Sequence, residues 1–101
     1  MPLGLLRANS DTMAARLKIL AHPERLMMLC RIADEEVTVG ELVELTGLSQ
    51  SAVSQHLGKF RDLGLVSVRR DGQAKFYRLV DEEVKQIIGA LWDICQARVA
   101  K

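Results

Sequence analysis

Hydrophobic residues at helical spacing predict a first helix near the start of the chain. Met13, Leu17 and Leu20 recur three or four residues apart, which places them on one face of a helix. Ser10 and Asp11 both belong to residue types that cap helix N-termini. The pattern therefore predicts a helix that begins at one of these two residues and ends at Leu20.

A second helix is predicted to begin at Pro23 and to end at the acidic run "DEE", residues 34–36. Proline suits the first turn of a helix, because its missing N–H would have no partner there. His22, immediately before Pro23, is interpreted as part of the helix N-terminus rather than as a ligand. The predicted buried stripe of this helix comprises Leu26, Leu29, Cys30 and Ala33.

The next two segments predict a helix-turn-helix. Thr38 and Glu41 have the spacing of a capping box, so a short helix should run from Val39 to about Thr46 and stop at Gly47. Ser49 then caps a fourth helix. Its apolar positions recur at i, i+4 and i+7 and are Val53, Leu57 and Phe60. Two short helices joined by a tight "GLS" connection are typical of a helix-turn-helix.

After Gly64 the helical spacing gives way to an extended pattern. The segments "LVSVRR" and "QAKFYRL" flank Asp71-Gly72, a dipeptide that favours a type I′ hairpin turn because both central residues there take positive φ. An isolated hairpin is only marginally stable in water. The hairpin is therefore expected to pack on the helices as a wing, through Val66, Val68 and Phe76.

Asp81 is predicted to cap a last helix that carries more apolar surface than a small core covers. Val84, Ile88, Leu91 and Cys95 form one stripe, joined by Ile87, Ile94 and Val99. The excess favours a homodimer through the terminal helices, with docking wholly on its own core as the alternative. The expected fold is mainly α with a β-hairpin, a winged helix-turn-helix of five helices and a two-stranded wing, in one domain over residues 1–101.

Charge is distributed unevenly along the chain. The formal net charge is only +1. Residues 49–79 nevertheless carry a net +4, whereas residues 1–48 carry −2 and residues 80–101 carry −1. A local positive field of this kind attracts phosphate, so the helix-turn-helix and the wing become candidates for nucleic-acid contact.

One face of the fourth helix is polar but almost uncharged. Ser51, Ser54, Gln55 and Gly58 recur at i, i+3, i+4 and i+7, away from the apolar face. Serine and glutamine side chains can hydrogen-bond base edges, and glutamine can pair with adenine in the major groove. Gly58 costs about 1 kcal/mol relative to alanine inside a helix, a loss more easily tolerated where a groove wall or another backbone must approach closely.

Basic and polar side chains surround this face. Lys59 and Arg61 flank it, and Arg69, Arg70, Gln73 and Lys75 cluster about the hairpin turn. Such residues suit phosphate contact or insertion into the minor groove, although most charge runs taken singly are only solvated surface. His56 is equally compatible with DNA contact and with a half-buried structural position.

The segments "LAHPERLMML", "VGELVELTGLSQSAVSQHLGKFRDLGLV" and "RRDGQAKFYRL", in this order, resemble the arsenic-resistance-repressor (ArsR/SmtB-type) family of bacterial winged-helix regulators. The resemblance covers about residues 12–95. It implies a homodimer that represses by occupying an inverted-repeat operator on double-stranded DNA and releases it when an effector binds. It also assigns recognition-helix roles to Gln50, Ser51, Ser54, Gln55 and His56, and wing roles to Arg69, Arg70 and Gln73.

The metal sites of that family are not expected in this chain. Thiolate-rich members carry a "CxC" where this sequence reads "ELVEL", and Val43 and Glu44 are not soft ligands. The last helix contains no histidine for a nitrogen-rich zinc or nickel site. No cofactor is expected either.

Two cysteines remain as candidates for the effector response. Cys30 and Cys95 occupy regions similar to those of the cysteines in the thiol-based persulfide and redox sensors of the family, although "LWDIC" reaches Cys95 one residue early. The resemblance implies that an oxidant or a reactive sulfur species links the thiols and weakens DNA binding. Buried structural cysteines, a repressor without an intrinsic sensor and an unrecognised metal or ligand site stay open as alternatives.

Other classes of protein fit the sequence less well. It has no phosphate-binding glycine loop and no nucleophile accompanied by a base and an orienting group, so an enzyme is not expected. No apolar run approaches the roughly 20 residues of a membrane span, and Arg7 interrupts the N-terminal segment too early for a signal peptide. A cytoplasmic protein without a membrane partner is expected. The rival from another class is a winged-helix module that binds protein and not DNA.

Overall fold

The computed structural model describes residues 1–99, and the last two residues of the expected 1–101 domain lie outside the described residues. The helices are α1 (Leu3–Leu20), α2 (Pro23–Asp34), α3 (Val39–Thr46), α4 (Gln50–Asp62) and α5 (Glu82–Val99), and the strands are β1 (Val66–Asp71) and β2 (Ala74–Leu79). The chain folds as a winged helix with five helices and an antiparallel two-stranded hairpin, as expected. No helix within residues 1–99 is both long and apolar enough to cross a membrane.

The first helix is longer than expected. It begins at Leu3, not at Ser10 or Asp11, and Pro2 occupies the position before it. The Ser10 hydroxyl donates to the Arg7 carbonyl at 2.9 Å and so bonds back into the helix instead of capping it. The helix ends where expected, because the Arg25 side chain donates to the carbonyls of Lys18 and Ile19. The Lys18 carbonyl also accepts from the Ala21 amide at 3.2 Å, so Arg25 adds to the partners of the last carbonyls of α1.

The face of α2 that lies in the core differs in part from the expected stripe. Leu29 is fully buried, as expected, but the other buried residues are Met28 and Ile32. Leu26, Cys30 and Ala33 are only partly buried and pack at the edge of the core. The buried face is rotated from the expected one because α2 contacts helices on more than one side, including α1, α3 and α5.

The expected caps of the helix-turn-helix are confirmed. Thr38 and Glu41 form a capping box, in which the Thr38 hydroxyl accepts from the Glu41 amide and the Glu41 carboxylate accepts from the Thr38 amide. Gly47 ends α3 with a φ of +73°, a left-handed conformation that glycine adopts without strain. Ser49 caps α4 through its hydroxyl, which accepts from the Ala52 amide at 3.1 Å. These caps fix the direction in which α4 leaves the turn.

The hairpin forms with a different turn from the one expected. Asp71 pairs with Ala74, so the central residues are Gly72 and Gln73 and not Asp71 and Gly72. Only Gly72 has a positive φ, +63°, which fits a type II′ turn with glycine first and excludes type I′. The expected packing of Val66 is confirmed, and Val68 is partly buried, but the other buried residues of the hairpin are Tyr77 and Leu79.

Candidate nucleic-acid interface

The fourth helix presents the expected two faces. Val53, Leu57 and Phe60 are buried in the core. On the opposite side, Ser51, Ser54 and Gln55 are exposed, and Gln50 is also exposed, in the first turn of the helix. The helix is therefore anchored by its apolar side and offers solvent a surface of hydrogen-bonding groups with no charge among these four residues. We call these four residues the reading face.

Packing within residues 1–99 does not require a glycine at position 58. A Cβ atom built at this position would meet no other heavy atom within 4 Å. Its φ also lies outside the left-handed region, so the backbone does not require glycine. Glycine inside a helix is destabilising relative to alanine. Packing among the described residues does not explain Gly58, so either a molecule outside them requires the glycine or no packing requirement exists.

His56 is half-buried and lies beside a second histidine. Its ring centroid is 5.6 Å from that of His22. Burial lowers the pKa of His56 from its ordinary value of 6.5, and the nearby charges of His22, Arg25 and Lys59 lower it further, against the opposing effect of Glu24. The imidazole is therefore held towards its neutral form.

His22 has the helix N-terminal role expected for it. Its Nδ1 accepts from the amides of Glu24 and Arg25, at 3.2 and 3.4 Å, and caps α2. This role requires the lone pair of Nδ1, so the ring must carry its proton on Nε2 when it is neutral. The contact between this cap and His56 connects the start of α2 to the recognition helix, a link that sequence spacing could not reveal.

The basic residues of the wing point to opposite faces of the hairpin. Arg70 pairs in register with Lys75, next to the turn, and both are exposed. Arg69 pairs in register with Phe76, and strand alternation places these two on the other face. Phe76 therefore does not pack on the helices as expected. Instead, the Arg69 guanidinium stacks on its ring, with Cζ 4.5 Å from the centroid.

Arg69 also has an acidic partner that the sequence pattern did not indicate. Its Nε donates to Glu36 at 2.8 Å and its Nη2 donates at 3.2 Å, each to a different carboxylate oxygen. This pair raises the pKa of Arg69 further above its ordinary value, mainly through the hydrogen bond to Glu36. Lys59 and Gln73, by contrast, form none of the side-chain hydrogen bonds found in the described chain, and both are exposed.

The two cysteines lie on helices that contact each other. Cys30 is partly buried on α2, and Cys95 is exposed on α5. Burial raises the pKa of the Cys30 thiol, and the charge of a Cys95 thiolate raises it further. Arg31 does not counteract this effect, because its guanidinium forms ion pairs with Glu35 and Glu41. No group of three or more histidine, cysteine or acidic side chains within residues 1–99 is arranged to hold a metal ion.

Comparison with known proteins places the chain in a family. The sequence profile of bacterial regulatory proteins of the arsR family matches residues 22–68, from the cap of α2 to the middle of β1. The HTH-type transcriptional regulator YgaV of Escherichia coli K12 is 43% identical over 93 residues, which cover 91% of this chain and 94% of the relative. The chain belongs to the arsR family of bacterial regulatory proteins. It is a DNA-binding transcriptional regulator.

Two further arsR-family relatives extend the comparison to solved structures. The transcriptional repressor BigR from Xylella fastidiosa superposes with a TM-score of 0.86 at 37% identity, over 93% of this chain and 96% of that chain. Reduced HlyU from Vibrio cholerae superposes with a TM-score of 0.83 at 43% identity, over 88% of this chain and 94% of that chain. HlyU of that species is named a transcriptional activator, and its sequence is 44% identical over 98 residues.

Proposed function

We propose that the protein is a homodimeric transcriptional repressor that binds an inverted-repeat operator, with α4 of each subunit in the major groove. The observation that carries this proposal is the uncharged, exposed reading face on the second helix of a helix-turn-helix. Side chains of this kind discriminate base edges, whereas charged side chains mainly contact phosphate. The protein would act in the cytoplasm, where operator DNA is located, and it performs no catalytic step.

The proposed contacts divide into two groups. Base edges are read by Gln50, Ser51, Ser54 and Gln55. Phosphates are contacted by Lys59 at the end of the reading face and by Arg70 and Gln73 at the tip of the wing. His56 lies beside the reading face. Because it is half-buried and its pKa is lowered, the imidazole is favoured in its neutral form, and we do not propose it as a charged contact to phosphate.

The proposed dimer uses the apolar surface of the terminal helices. On α5, Trp92 and Ile94 are 63% and 57% exposed, and on α1 Leu3 is 74% exposed. Several further large apolar side chains of these helices are exposed, namely Leu5, Leu6, Leu17 and Val99. Apolar surface concentrated on two helices is typical of a protein interface, and a second copy of the chain also supplies the twofold symmetry that an inverted repeat requires.

Repression is proposed because a dimer bound across an operator would itself block access of other proteins to that DNA. The relative BigR is named a repressor, which agrees with this mode. HlyU is named an activator. A protein that only occupies DNA can raise transcription by displacing another repressor, so the same binding chemistry accommodates both names.

We further propose that Cys30 and Cys95 form the sensor. Contact between α2 and α5 brings together the two helices that carry these cysteines. The charge of a Cys95 thiolate also contributes, after burial, to the raised pKa of Cys30. Cys95 is exposed and would meet the oxidant or reactive sulfur species first, whereas the raised pKa of Cys30 keeps this group a protonated thiol until the second step. With peroxide, Cys95 is oxidised to a sulfenic acid with release of one water, and the Cys30 sulfur then displaces the sulfenic oxygen as a second water. With polysulfide, the Cys95 thiolate attacks a sulfur of the chain to form a persulfide and release a shorter polysulfide, and the Cys30 sulfur then attacks the Cys95 sulfur and displaces hydrosulfide.

The consequence for DNA binding follows from the positions of the two helices. Cys30 lies seven residues after Pro23 on the helix whose N-terminal cap contacts His56 of α4. Cys95 lies on the helix proposed to form the dimer. The geometry of the dimer fixes the spacing of the two recognition helices and hence the half-site spacing that they fit. A disulfide between Cys30 and Cys95 would therefore make this spacing depend on the oxidation state of the cysteines.

The test combines DNA binding with intact mass. Binding of the reduced protein to random-sequence duplex is first titrated against salt, and affinity that falls steeply as salt rises supports a DNA-binding function. A duplex selected by the protein from a random pool is then used with protein treated with peroxide, with inorganic polysulfide or with zinc. We expect peroxide or polysulfide to link Cys30 to Cys95 and to weaken binding, and Cys30→Ser and Cys95→Ser to abolish the response.

Each outcome separates the alternatives. A Cys30–Cys95 link that leaves DNA affinity unchanged would refute thiol sensing and favour a repressor without an intrinsic sensor. Release of DNA by zinc in the Cys30→Ser variant would indicate a metal site instead. Absence of any affinity for duplex at low salt would favour the protein-interaction module.

A further inference from the structure

The guanidinium of Arg69 is held by two groups that are distant in the sequence. Glu36 accepts a forked pair of hydrogen bonds, at 2.8 and 3.2 Å, and Phe76 offers its ring face at 4.5 Å. A bidentate pair and a stacking contact together use both the edge and the face of the guanidinium. A DNA phosphate could take this edge only by displacing Glu36.

Glu36 belongs to the segment that attaches the wing to the helices. Its neighbour Val37 exchanges two backbone hydrogen bonds with Tyr77 of β2, at 3.0 and 2.8 Å. The connection between α2 and α3 is thus joined to β2 through the backbone and to β1 through Arg69. The base of the hairpin is packed in the core through Val66, Tyr77 and Leu79. Because the hairpin is only two strands wide, the additional attachment by Arg69, nearer the turn, helps to set the angle at which its tip projects.

We propose that Arg69 is a positioning residue that does not contact DNA, and that its clamp on Glu36 and Phe76 orients the wing so that Arg70 reaches the phosphate backbone. Arg70 lies on the opposite face of the hairpin and next to the turn. The proposal rests on the proposed DNA binding. It assigns different roles to two adjacent arginines that sequence alone treats as equivalent.

The two possible roles of Arg69 predict opposite signs for a substitution of Glu36. If Arg69 contacts phosphate, Glu36→Ala frees a cation and removes a repulsive carboxylate, so DNA binding becomes tighter. If Arg69 positions the wing, Glu36→Ala loosens the wing and binding becomes weaker, by about three- to fivefold, the scale of an exposed ion pair with a stacking contact. The matched control is Glu35→Ala, which removes the same charge one residue away.

Arg69 itself is tested with lysine and alanine. Lysine keeps the positive charge but lacks the fork that matches a carboxylate, so Arg69→Lys should weaken binding about as much as Arg69→Ala. The double variant Glu36→Ala/Arg69→Ala should bind no more weakly than Arg69→Ala, because both changes break one clamp. The dependence of log affinity on log salt should keep the wild-type slope in all of these variants.

The probe is a fluorescent duplex selected by the wild-type protein from a random pool, titrated at several salt concentrations. Three results would overturn the proposal: tighter binding by Glu36→Ala, wild-type binding by Arg69→Lys, or a salt slope that is smaller in Arg69→Ala by about 0.9 per phosphate. Failure of the wild-type protein to bind any duplex would refute the DNA-binding function itself, which is a distinct result.

Hydrogen exchange in the free protein provides a readout that does not depend on DNA. We expect the amides of β1 and β2 to exchange faster in Glu36→Ala and Arg69→Ala than in the wild type or in Glu35→Ala, while the amides of α4 exchange at the wild-type rate. Unchanged exchange in the wing would show that the clamp does not order it and would overturn the proposal. Faster exchange throughout the protein would also overturn it, because the contacts would then support the whole fold and not the wing.

Discussion

Arg16 and Asp81 join the first helix to the start of the last through a bidentate ion pair. Nε of Arg16 donates to Oδ2 of Asp81 at 3.2 Å, and Nη2 donates to Oδ1 at 3.1 Å. The same Oδ2 accepts from the amide of Val84 at 2.9 Å and so caps α5. One carboxylate therefore both starts a helix and fixes the position of that helix against α1.

The first prediction concerns the stability that Asp81 provides. Asp81→Ala removes the cap and leaves the partly buried Arg16 without its main partner. We expect the free energy of unfolding at neutral pH to fall by about 2 kcal/mol, roughly 1 kcal/mol from the cap and the rest from the pair. Urea denaturation measures this change. Glu83→Ala is the control, because Glu83 is a more exposed partner of the same arginine and should contribute little.

The effect of Asp81 should also depend on pH. The hydrogen bond from Arg16, together with the Val84 amide, holds the pKa of Asp81 below its ordinary value of 3.8, against the opposing effect of burial. A carboxylate with a lowered pKa stabilises the fold fully above its unfolded-state pKa and loses this contribution as pH falls through the folded-state value. The difference between wild type and Asp81→Ala should therefore be constant above about pH 5 and shrink below about pH 4. A difference that stays the same down to about pH 3 would contradict the assignment.

The sequence was informative where local chemistry decides the structure. The caps at Thr38, Ser49 and Asp81 each depend on residues within one helical turn, and all three were predictable from residue type and spacing. The hairpin was also predictable, but its turn was displaced by one residue. The strand pairing extends to Asp71 and Ala74, which leaves Gly72 and Gln73 as the central residues of the turn. Of these two residues, only Gly72 has a positive φ.

The sequence was uninformative where two distant segments meet. Ser51, Ser54 and Gln55 of the reading face followed from helical periodicity, because they depend on one helix alone, whereas Gln50 was assigned through the family resemblance. The partner of Arg69 comes from Glu36, 33 residues earlier, and the neighbour of His56 comes from His22. Neither pair has a spacing that a local pattern could detect. Strand alternation separates Arg69 from Arg70 whatever the register, but only the register of the hairpin places Phe76 opposite Arg69.

Gly58 provides a prediction in which stability and DNA affinity change in opposite directions. Gly58→Ala should raise the free energy of unfolding by about 0.5–1 kcal/mol, because alanine is the better helix former and the space for its methyl group is open. The same methyl group should weaken DNA binding if the groove wall approaches this position. Gly89→Ala in α5 is the matched control, since its space is also open and it lies outside the recognition helix. DNA affinity that is unchanged in Gly58→Ala would show that the groove does not approach the glycine.

His56 should make the fold sensitive to mild acid. Burial and the charges of His22, Arg25 and Lys59 lower its pKa from 6.5, so the unfolded chain binds the proton more readily than the folded one. Stability is therefore fully present above about pH 6.5 and decreases as pH falls through the folded-state pKa. We expect His56→Gln to lose less stability than the wild type between about pH 7 and pH 5.

The measurement for His56 is urea denaturation at a series of pH values, supported by an NMR titration of the imidazole. His22→Asn is the control, because asparagine can still cap α2 while the charge beside His56 is removed. In that variant the pKa of His56 should rise toward its ordinary value. An identical pH dependence in His56→Gln and the wild type would assign the acid sensitivity to another group.

The proposed dimer predicts that a charge on the exposed stripe of α5 dissociates the protein. Ile94 is 57% exposed and continues the stripe of Ile87 and Leu91, so Ile94→Arg should leave the subunit folded but yield monomers in sedimentation. Binding to an inverted repeat should weaken more than about tenfold, because two half-sites are then bound independently. Leu45→Arg introduces the same charge at an exposed site on α3 and should leave the oligomeric state unchanged. If Ile94→Arg dimerised with the same affinity as the wild type, the dimer interface would have to lie elsewhere.

Gln55 and Arg70 test the division of the interface into base contacts and phosphate contacts. Gln55 is exposed on the reading face, and Gln55→Ala should reduce discrimination between the selected operator and a variant with one altered base pair by about 1–3 kcal/mol, with the salt slope unchanged. Arg70 lies at the tip of the wing, and Arg70→Ala should weaken binding to all sequences alike.

The salt dependence distinguishes the two variants most directly. Removing one phosphate contact lowers the slope of log affinity against log salt by about 0.9, so Arg70→Ala in each subunit of a dimer should lower it by about 1.8. Lys85→Ala is the control, because Lys85 is an exposed cation on α5 with no proposed DNA contact. If Gln55→Ala changed the slope, or Arg70→Ala changed discrimination between sequences, the roles of recognition helix and wing would have to be exchanged. Unchanged affinity in both variants would remove α4 and the wing from the DNA interface.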